Sequence, residues 1–195
     1  MNRNVVITGG SKGIGKACVE AFLKEGDHVI FCDLDEPMSA QCISELMPMG
    51  VLYYFPCDIS SYESVKDFFI KVKNVFGTID ILVNNAAIQI VSDFNSIKVE
   101  DWDRVIQTNL NGTFYCIKEA TEIMSSGSIV NISSLYSSQS RLNKFSYDAS
   151  KAAIKRMTEE FALALAPDIR VNAIEPGAVY TLMNKDFENI EVEKK

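Results

Sequence analysis

The sequence predicts an α/β fold in which a doubly wound parallel sheet lies between two layers of helices. Short β-branched runs such as Val5–Ile7 alternate with segments of helical apolar spacing along the whole chain. The 195 residues suit one domain with one sizeable core, and no repeat or linker divides residues 1–195. Regular alternation of this kind requires parallel strands, right-handed crossovers and helices on both faces of the sheet.

Composition and charge narrow the class of protein. A hydrophobic content of 47% and a mean hydropathy of +0.04 are typical of a soluble globular protein. No apolar run is long enough to span a bilayer, and residues 1–4 lead directly into a strand, so neither a membrane partner nor a signal peptide is expected. The net charge of −7 argues against nucleic acid as a partner.

Cysteine and histidine usage indicates a reducing compartment and no metal site. The single histidine, His28, starts a strand without a cysteine, histidine or carboxylate cluster around it, so a structural role is expected. An odd number of cysteines without metal-type spacing predicts free thiols and a cytoplasmic protein. The five cysteines are Cys18, Cys32, Cys42, Cys57 and Cys116.

The first half of the chain contains three predicted strand–helix units. Gly26 and Gly77 are placed to end the first and third helices, and Pro37 is tolerated in the first turn of the second. A capping box of Ser60 with Glu63 is expected to open the third helix. The strands are predicted over 5–7, 27–33 and 51–56, and the helices over 16–25, 36–47 and 60–76.

The second half continues the alternation. The first helix here is expected to be interrupted between Asn109 and Gly112. The serine-rich connection 133–144 is interpreted as an ordered active-site loop, because it is short and flanked by strong elements. The strands are predicted over 79–83, 128–132 and 168–174, the helices over about 99–124 and 147–166, and a loop over 88–97.

The glycine-rich turn after the first strand predicts a phosphate-binding loop. Its glycines Gly9, Gly13 and Gly15 have the spacing Gly-x-x-x-Gly-x-Gly. The first N–H groups of a helix carry partial positive charge, and glycine lets the backbone approach a pyrophosphate closely. A plain turn is the alternative, but a strand before the turn and a helix after it favour a nucleotide. No Gly-Lys-Ser/Thr ends the loop, which argues against a kinase-like site.

An acid at the end of the second strand favours NAD over NADP as the cofactor. Asp33 follows the glycine turn by about 20 residues, where a carboxylate accepts hydrogen bonds from the adenosine ribose. Its charge would repel a 2′-phosphate. Lys12 in the loop argues the other way, since an ammonium there can meet that phosphate, but Asp33 is expected closer to the deciding atom.

A phenol and an amine lie four positions apart in Tyr147-Asp148-Ala149-Ser150-Lys151, hence on one face of a helix. A tyrosine titrates near ~10, and a neighbouring ammonium is expected to lower that pKa. The pair can then exchange a proton with an alcohol or carbonyl. Ser134, at the end of the fifth strand, can bond the reacting oxygen. An exposed polar pair and a simple serine-rich loop are the alternatives.

With these motifs in order, the chain resembles the short-chain dehydrogenase/reductase family over residues 4–181. The resemblance implies a Rossmann-type sheet of order 3-2-1-4-5-6. It implies that Tyr147 is the acid/base, that Lys151 lowers its pKa and binds the nicotinamide ribose, that Ser134 orients the carbonyl oxygen, and that Asn109 anchors a proton relay. The positions implied to bind the cofactor are Gly9, Ser11, Lys12, Gly13, Ile14, Gly15, Asp33, Asp58, Ile59, Asn85, Ala86, Ala87, Tyr147, Lys151, Pro176, Gly177, Val179 and Thr181.

Two departures from the family pattern stand out. Ala87 replaces the glycine usual after Asn-Asn-Ala, although a small residue is kept. The sequence reaches Lys195 without the family's substrate-covering loop, later helices and seventh strand. The sixth strand is therefore expected to form an exposed edge. The short C-terminus also supports an alternative to an enzyme, namely a nucleotide-binding sensor or scaffold without turnover.

The mixed polarity of the predicted substrate contacts bears on the substrate class, and the resemblance implies an assembly. The substrate is expected to be a small hydroxylated molecule such as a sugar, or a modest ketone. The helices at 99–124 and 147–166 are those that relatives use to associate, so a homo-oligomer, either dimer or tetramer, is expected. The substrate contacts are predicted to come from Ser134, Tyr136, Gln89, Asn143 and Tyr147.

Overall fold

A computed structural model describes residues 2–181 and contains a six-stranded sheet of order β3-β2-β1-β4-β5-β6. Every neighbouring pair of strands is parallel. The predicted α/β class, Rossmann-type strand order and parallel pairing are therefore confirmed. The strands are β1 Asn4–Thr8, β2 His28–Asp33, β3 Leu52–Pro56, β4 Ile81–Asn84, β5 Gly127–Ile132 and β6 Ile169–Ile174.

Six α-helices connect the strands or follow them. They are α1 Gly13–Lys24, α2 Glu36–Leu46, α3 Tyr62–Phe76, α4 Val99–Ile106, α5 Gly112–Thr121 and α6 Phe145–Ala164. A π-helical turn, 107–111, joins α4 to α5, so the predicted interruption is a widened turn inside one continuous helical segment. Within residues 2–181, no helix is both long enough and apolar enough to cross a bilayer.

The two faces of the sheet bury separate apolar clusters, as alternation along a strand requires. In β1, Val5 and Ile7 pack with residues of α1 and α2, including Val19 and Cys42. Val6 points the other way, into a cluster with residues of α3 and α5. All three valine and isoleucine side chains of β1 are fully buried. The strand is thus packed on both faces, which fixes the position of its carboxyl end, where the glycine-rich turn begins.

Two helix starts differ from the prediction. α1 begins at Gly13 instead of Lys16, so the end of the glycine-rich turn is itself the first helical turn. The expected capping box of Ser60 with Glu63 is wrong. The N-cap of α3 is Ser61, whose hydroxyl accepts a hydrogen bond from Ser64 N at 3.4 Å. Ser60 instead donates from its N–H and its hydroxyl to Asp58 Oδ1, which takes it out of the cap.

Strand β6 lies at one edge of the sheet and pairs with β5 alone among the described strands. Ile174, at the end of this strand, is 53% exposed. The expected edge is therefore present in residues 2–181. The predicted absence of a seventh strand concerns residues 182–195, which lie outside the described part of the chain.

Candidate active site

A cleft of about 480 Å³ opens at the carboxyl ends of the strands. It lies over β1 and β4, where the chain reverses its direction of winding, which is the usual ligand position in such sheets. Most of the predicted cofactor and catalytic positions line it. Those lining residues are Gly9, Lys12, Gly13, Ile14, Asp33, Asp58, Ile59, Asn85, Ala86, Ala87, Ser134, Tyr147, Lys151, Pro176, Gly177, Val179 and Thr181.

The glycine loop is built for close approach of a ligand. Gly9 has a φ of +68°, and its N–H donates to Cys32 O at 2.8 Å, which ties the loop to β2. A Cβ on Gly15 would lie 2.0 Å from Gly9 O, so only glycine fits there. Lys12 precedes α1 without a side-chain cap, and the first turn of α1 carries no acid. The start of α1 can therefore receive an anion such as a pyrophosphate.

The fourth strand holds this loop in place. Asn85 Nδ2 donates to Thr8 O at 3.0 Å and to Gly9 O at 2.9 Å. The hydroxyl of Thr8 accepts from the N–H groups of Asn85 and Ala86. Asn85 therefore supports the loop through its side chain and also lines the cleft. Gly15, by contrast, is not among the described lining residues, and it serves the packing beneath the loop.

The carboxylate of Asp33 is already used within the protein. Its Oδ2 accepts from Ser11 N at 3.1 Å and Ser11 Oγ at 2.5 Å, and its Oδ1 accepts from the N–H groups of Leu34 and Asp35. Ser11 is fully buried and does not line the cleft. It supports Asp33 from beneath the cleft, and its predicted role in cofactor binding stays a prediction.

The cation expected to favour NADP is engaged by a second acid. Lys12 Nζ lies 2.7 Å from Asp35 Oδ2, and both residues line the cleft together with Asp33. This end of the cleft thus carries two carboxylates and one ammonium that is paired with one of them. Asp58 adds a third acid close by, although its Oδ1 accepts from Ser60.

The proposed catalytic pair meets at the other end of the cleft. Lys151 Nζ lies 5.5 Å from the centre of the Tyr147 ring and donates to Ile132 O at 2.7 Å. Lys151 is only 2% exposed. The hydroxyl of Ser133 donates to Lys151 O at 2.9 Å, which fixes α6 against the end of β5. These contacts hold the Lys151 ammonium at the end of β5, with the Tyr147 ring beside it.

Electrostatics at the pair differ from the sequence expectation. Burial raises the pKa of Tyr147, and a hydrogen bond with Ser134 opposes this rise. Burial also lowers the pKa of Lys151 to about 8. The prediction that an ammonium pulls the Tyr147 pKa below its usual value is therefore wrong for this structure, because loss of hydration outweighs the hydrogen bond with Ser134, and Asp148 and Tyr136 add to the rise.

Asn109 lies inside the π-helical turn and is fully buried. Its Nδ2 donates to Ile88 O at 2.9 Å and Ser150 Oγ at 3.1 Å, and its Oδ1 accepts from Ile88 N at 2.9 Å. It thereby joins the loop after β4 to the helix that carries Tyr147. Thr108 lines the cleft beside it, whereas Asn109 itself does not.

The predicted substrate contacts divide into those that line the cleft and one that does not. Gln89 and Tyr136 line it with Ser134 and Tyr147. Asn143 does not appear among the described lining residues. It has a φ of +66°, and its carbonyl accepts from Ser92 N at 3.0 Å, so it shapes the loop. In its place the neighbouring Lys144 lines the cleft.

Sequence reasoning missed several lining residues. Lys144 had a signal, because it stands one helical turn before Tyr147. Cys32 and Cys57 line the adenosine end, but nothing in the pattern of cysteines marks them. Both are free thiols, as are the other three cysteines. The remaining missed residues include Leu34, Ile88, Arg104, Gln107, Thr108 and Ala178. Among residues 2–181, no group of His, Cys, Asp or Glu is arranged to hold a metal.

Comparison with known proteins gives consistent matches. The family model for short chain dehydrogenase matches residues 3–191. The chain is 36% identical over 201 residues to glucose 1-dehydrogenase 2 of Bacillus subtilis, covering 99% of this chain and 78% of that relative. It is 32% identical over 188 residues to D-beta-hydroxybutyrate dehydrogenase of Rhizobium meliloti, covering 93% and 73%. The solved Pseudomonas aeruginosa RhlG/NADP active-site complex matches with a TM-score of 0.91 at 28% identity, covering 97% of this chain and 77% of that one.

Proposed function

The chain belongs to the short-chain dehydrogenase/reductase family, and we propose that it transfers a hydride between NAD(H) and a secondary alcohol or ketone, with Tyr147 as the acid/base. Membership makes it an NAD(P)-dependent oxidoreductase. The observation that carries the finer proposal is that Tyr147 and Lys151 line the same cleft as the glycine loop. Asp33 and Asp35, the glycine loop, and the pair Tyr147 and Lys151 follow one another along this cleft. This is the order in which adenosine, pyrophosphate and nicotinamide are joined in the cofactor.

The glycine loop and the start of α1 would hold the pyrophosphate, and Lys151 would hold the nicotinamide ribose. The bound nicotinamide supplies hydride transfer, accepting the hydrogen and electron pair of the carbinol C–H bond in oxidation and returning them in reduction. Tyr147 Oη takes the hydroxyl proton as phenolate in oxidation and gives it back as phenol in reduction. Ser134 donates to the reacting oxygen, and Asn109 holds α6 and the loop after β4 in register.

We propose NAD as the preferred cofactor because of charge at the adenosine end. Asp33 and Asp35 line that end, and Asp35 engages the ammonium of Lys12 at 2.7 Å. A 2′-phosphate brought there would meet two carboxylates. Titration of the protein with NADH and NADPH, followed by nicotinamide fluorescence, tests this. Tighter binding of NADH is expected, and tighter binding of NADPH would overturn the proposal.

The acid/base role of Tyr147 is tested by Tyr147→Phe. A panel of secondary alcohols with NAD, monitored for NADH absorbance, should show turnover by the unmodified protein and a loss of at least about 1,000-fold in the variant. NADH affinity should change little, because the ring and the Lys151 ammonium stay in place. Retained turnover would remove Tyr147 from its role. Cofactor binding without turnover of any panel member would favour the sensor or scaffold alternative.

The relatives leave the substrate open, since one is named for a sugar and another for a hydroxy acid. We also propose a homo-oligomer that associates through the α4–α5 segment and α6. Exposed apolar side chains on these elements support it: Val99 is 70%, Phe114 41% and Leu163 80% exposed. Light scattering on the full chain should give a dimer or tetramer, and a monomer at all concentrations would refute it.

A further inference from the structure

We propose that Cys32 and Cys57 are a site of thiol oxidation by hydrogen peroxide, at which a disulfide forms and weakens cofactor binding. The two thiols line the adenosine end of the cleft, and each directly precedes an acid, Asp33 or Asp58, that lines the same end. The modification acts on cofactor affinity, so it depends neither on the substrate nor on Tyr147.

The sheet places the two thiols on one face. Cys32 in β2 pairs with Phe55 in β3, and Cys57 follows Phe55 by two positions, so all three side chains point the same way. Cys32 and Cys57 belong to the same apolar cluster, and the Cys32 thiol donates a hydrogen bond to the Cys57 sulfur. Both are free thiols. Two thiols that already contact each other can be linked without unfolding of the chain.

The contacts of the pair make the two thiols chemically unequal. The hydrogen bond from Cys32 lowers the pKa of the Cys57 thiol against the effect of burial, and a bond from the Ser64 hydroxyl at 3.7 Å lowers that pKa further. The bond between the thiols, together with burial, raises the pKa of Cys32. Because the thiolate is the nucleophile, Cys57 is the thiol that reacts first and Cys32 is the one that completes the disulfide.

Hydrogen peroxide suits these positions because of its size. Cys32 is 1% exposed and Cys57 is 4% exposed, so a small neutral molecule that enters the cleft reaches them and a peptide disulfide does not. The Cys57 thiolate attacks one peroxide oxygen and the O–O bond breaks, which leaves a sulfenic acid on Cys57 and a hydroxide that takes up the thiol proton as water. The Cys32 thiol then attacks the sulfenic sulfur, the S–S bond forms, the S–O bond breaks, and a second water leaves. The pair of thiols thus loses two electrons, and one peroxide is reduced to two waters.

The disulfide would disturb the adenosine end through the backbone. Cys32 and Cys57 are offset along neighbouring strands, whereas a disulfide usually joins Cα atoms about 4.4–6.8 Å apart. Cys57 N donates to Asp33 O at 3.5 Å, which is longer than the usual upper value of about 3.2 Å, so the chain is weakly tied here. Drawing Cys57 toward Cys32 would therefore shift Asp33 and Asp58, two of the expected cofactor-binding residues. By linkage, bound cofactor should oppose formation of the disulfide.

Peptide mapping and cofactor titration on the same sample test this site. The full chain is treated with hydrogen peroxide, the excess is destroyed with catalase, and tryptic peptides are analysed by mass spectrometry without reduction. A linked pair of peptides containing Cys32 and Cys57 is expected, lighter than their sum by two hydrogen atoms. The oxidised protein should bind NADH or NADPH, whichever the untreated protein binds more tightly, at least about tenfold more weakly, and dithiothreitol should restore the affinity.

Variants assign the effect to the pair, each compared with its own untreated sample. Cys57→Ala should lose both the linkage and the effect of peroxide on cofactor affinity. In Cys32→Ala the sulfenic acid has no second thiol to meet, so dimedone added during unfolding should label Cys57. Cys18→Ala is the matched control, because Cys18 lies on α1 outside the described lining of the cleft and burial raises its pKa. It should respond to peroxide as the unmodified protein does.

Absence of the linked peptides from the unmodified protein would overturn the inference, and so would a linked protein with unchanged cofactor affinity. An equal loss of affinity after peroxide in Cys57→Ala would place the effect at another residue and overturn it as well. None of these results would touch the proposed hydride transfer, which the panel of alcohols tests separately.

Discussion

The buried ammonium of Lys151 should make the stability of the protein depend on pH in a way that Lys151→Met removes. Burial lowers the pKa of Lys151 from its ordinary 10.5 to about 8. The unfolded chain therefore binds more protons than the folded one between these two values, and the free energy of unfolding rises with pH across that window. At about 1.4 kcal/mol for each pH unit, the full effect is about 3 kcal/mol, of which about 2 kcal/mol appears between pH 7 and pH 9.5.

The assay is urea unfolding of the protein without cofactor, at several pH values from 7 to 9.5, for the unmodified chain and for Lys151→Met. Cysteines and tyrosines also titrate in this range, but they are common to both proteins and cancel in the difference. The free energy of unfolding of the unmodified chain, minus that of the variant, should rise by about 2 kcal/mol. A difference that does not change with pH would refute the reasoning, since it would mean that Lys151 titrates alike in both states.

Three further predictions concern the loop, the π-helical turn and the phenol. Gly15→Ala places a Cβ 2.0 Å from Gly9 O, so it should weaken NADH binding at least about tenfold and lower the free energy of unfolding by about 1–3 kcal/mol. Gly50→Ala is the control, because its Cβ meets only the Leu23 side chain at 3.3 Å, and it should change NADH affinity little. Asn109→Ala removes three hydrogen bonds and should lower the free energy of unfolding by about 2–4 kcal/mol, measured in urea; a loss below about 1 kcal/mol would contradict the bracing role. Because burial raises the pKa of Tyr147 above its ordinary value, the phenol stays protonated up to pH 9, so kcat for oxidation should increase steadily from about pH 6 to pH 9 while kcat for reduction stays nearly constant. An oxidation profile that levels off in this range, or parallel profiles in both directions, would argue against Tyr147 as the group that titrates.

The parallel pairing of the strands could be predicted from the alternation of strands and helices, which leaves few topologies open, and the order of the strands was implied by the resemblance to the family. The residues at which helices begin were harder to predict. Ser60 and Ser61 are adjacent and both suit an N-cap, and only the competing bonds of Ser60 to Asp58 decide between them. Local spacing cannot show which oxygen a hydroxyl will find in the folded chain.

Within the candidate site, residue types were easier to predict than their partners. Ser11 matches the loop motif, yet it serves Asp33 from beneath the surface. The direction in which the pKa of Tyr147 shifts depends on how far the fold excludes water from the side chain, and the spacing of residues in the sequence does not show this. Lys144 was missed although it stands one helical turn before Tyr147, because lysines are mostly exposed and only the folded chain shows this one to be buried.

The widened turn at 107–111 has a consequence for how this helical segment tolerates change. A π turn accommodates one more residue than an α turn, so removing any one residue between Gln107 and Asn111 would allow the segment to wind as uninterrupted α-helix. The turn already holds the extra residue, so α5 would keep its rotation relative to α4, with Cys116 and Ile117 still facing the interior. A deletion within α4 would instead rotate everything beyond it by about 100°. The π turn is thus the place in this segment where a change of length is absorbed, and the change would fall on Asn109 and its hydrogen bonds.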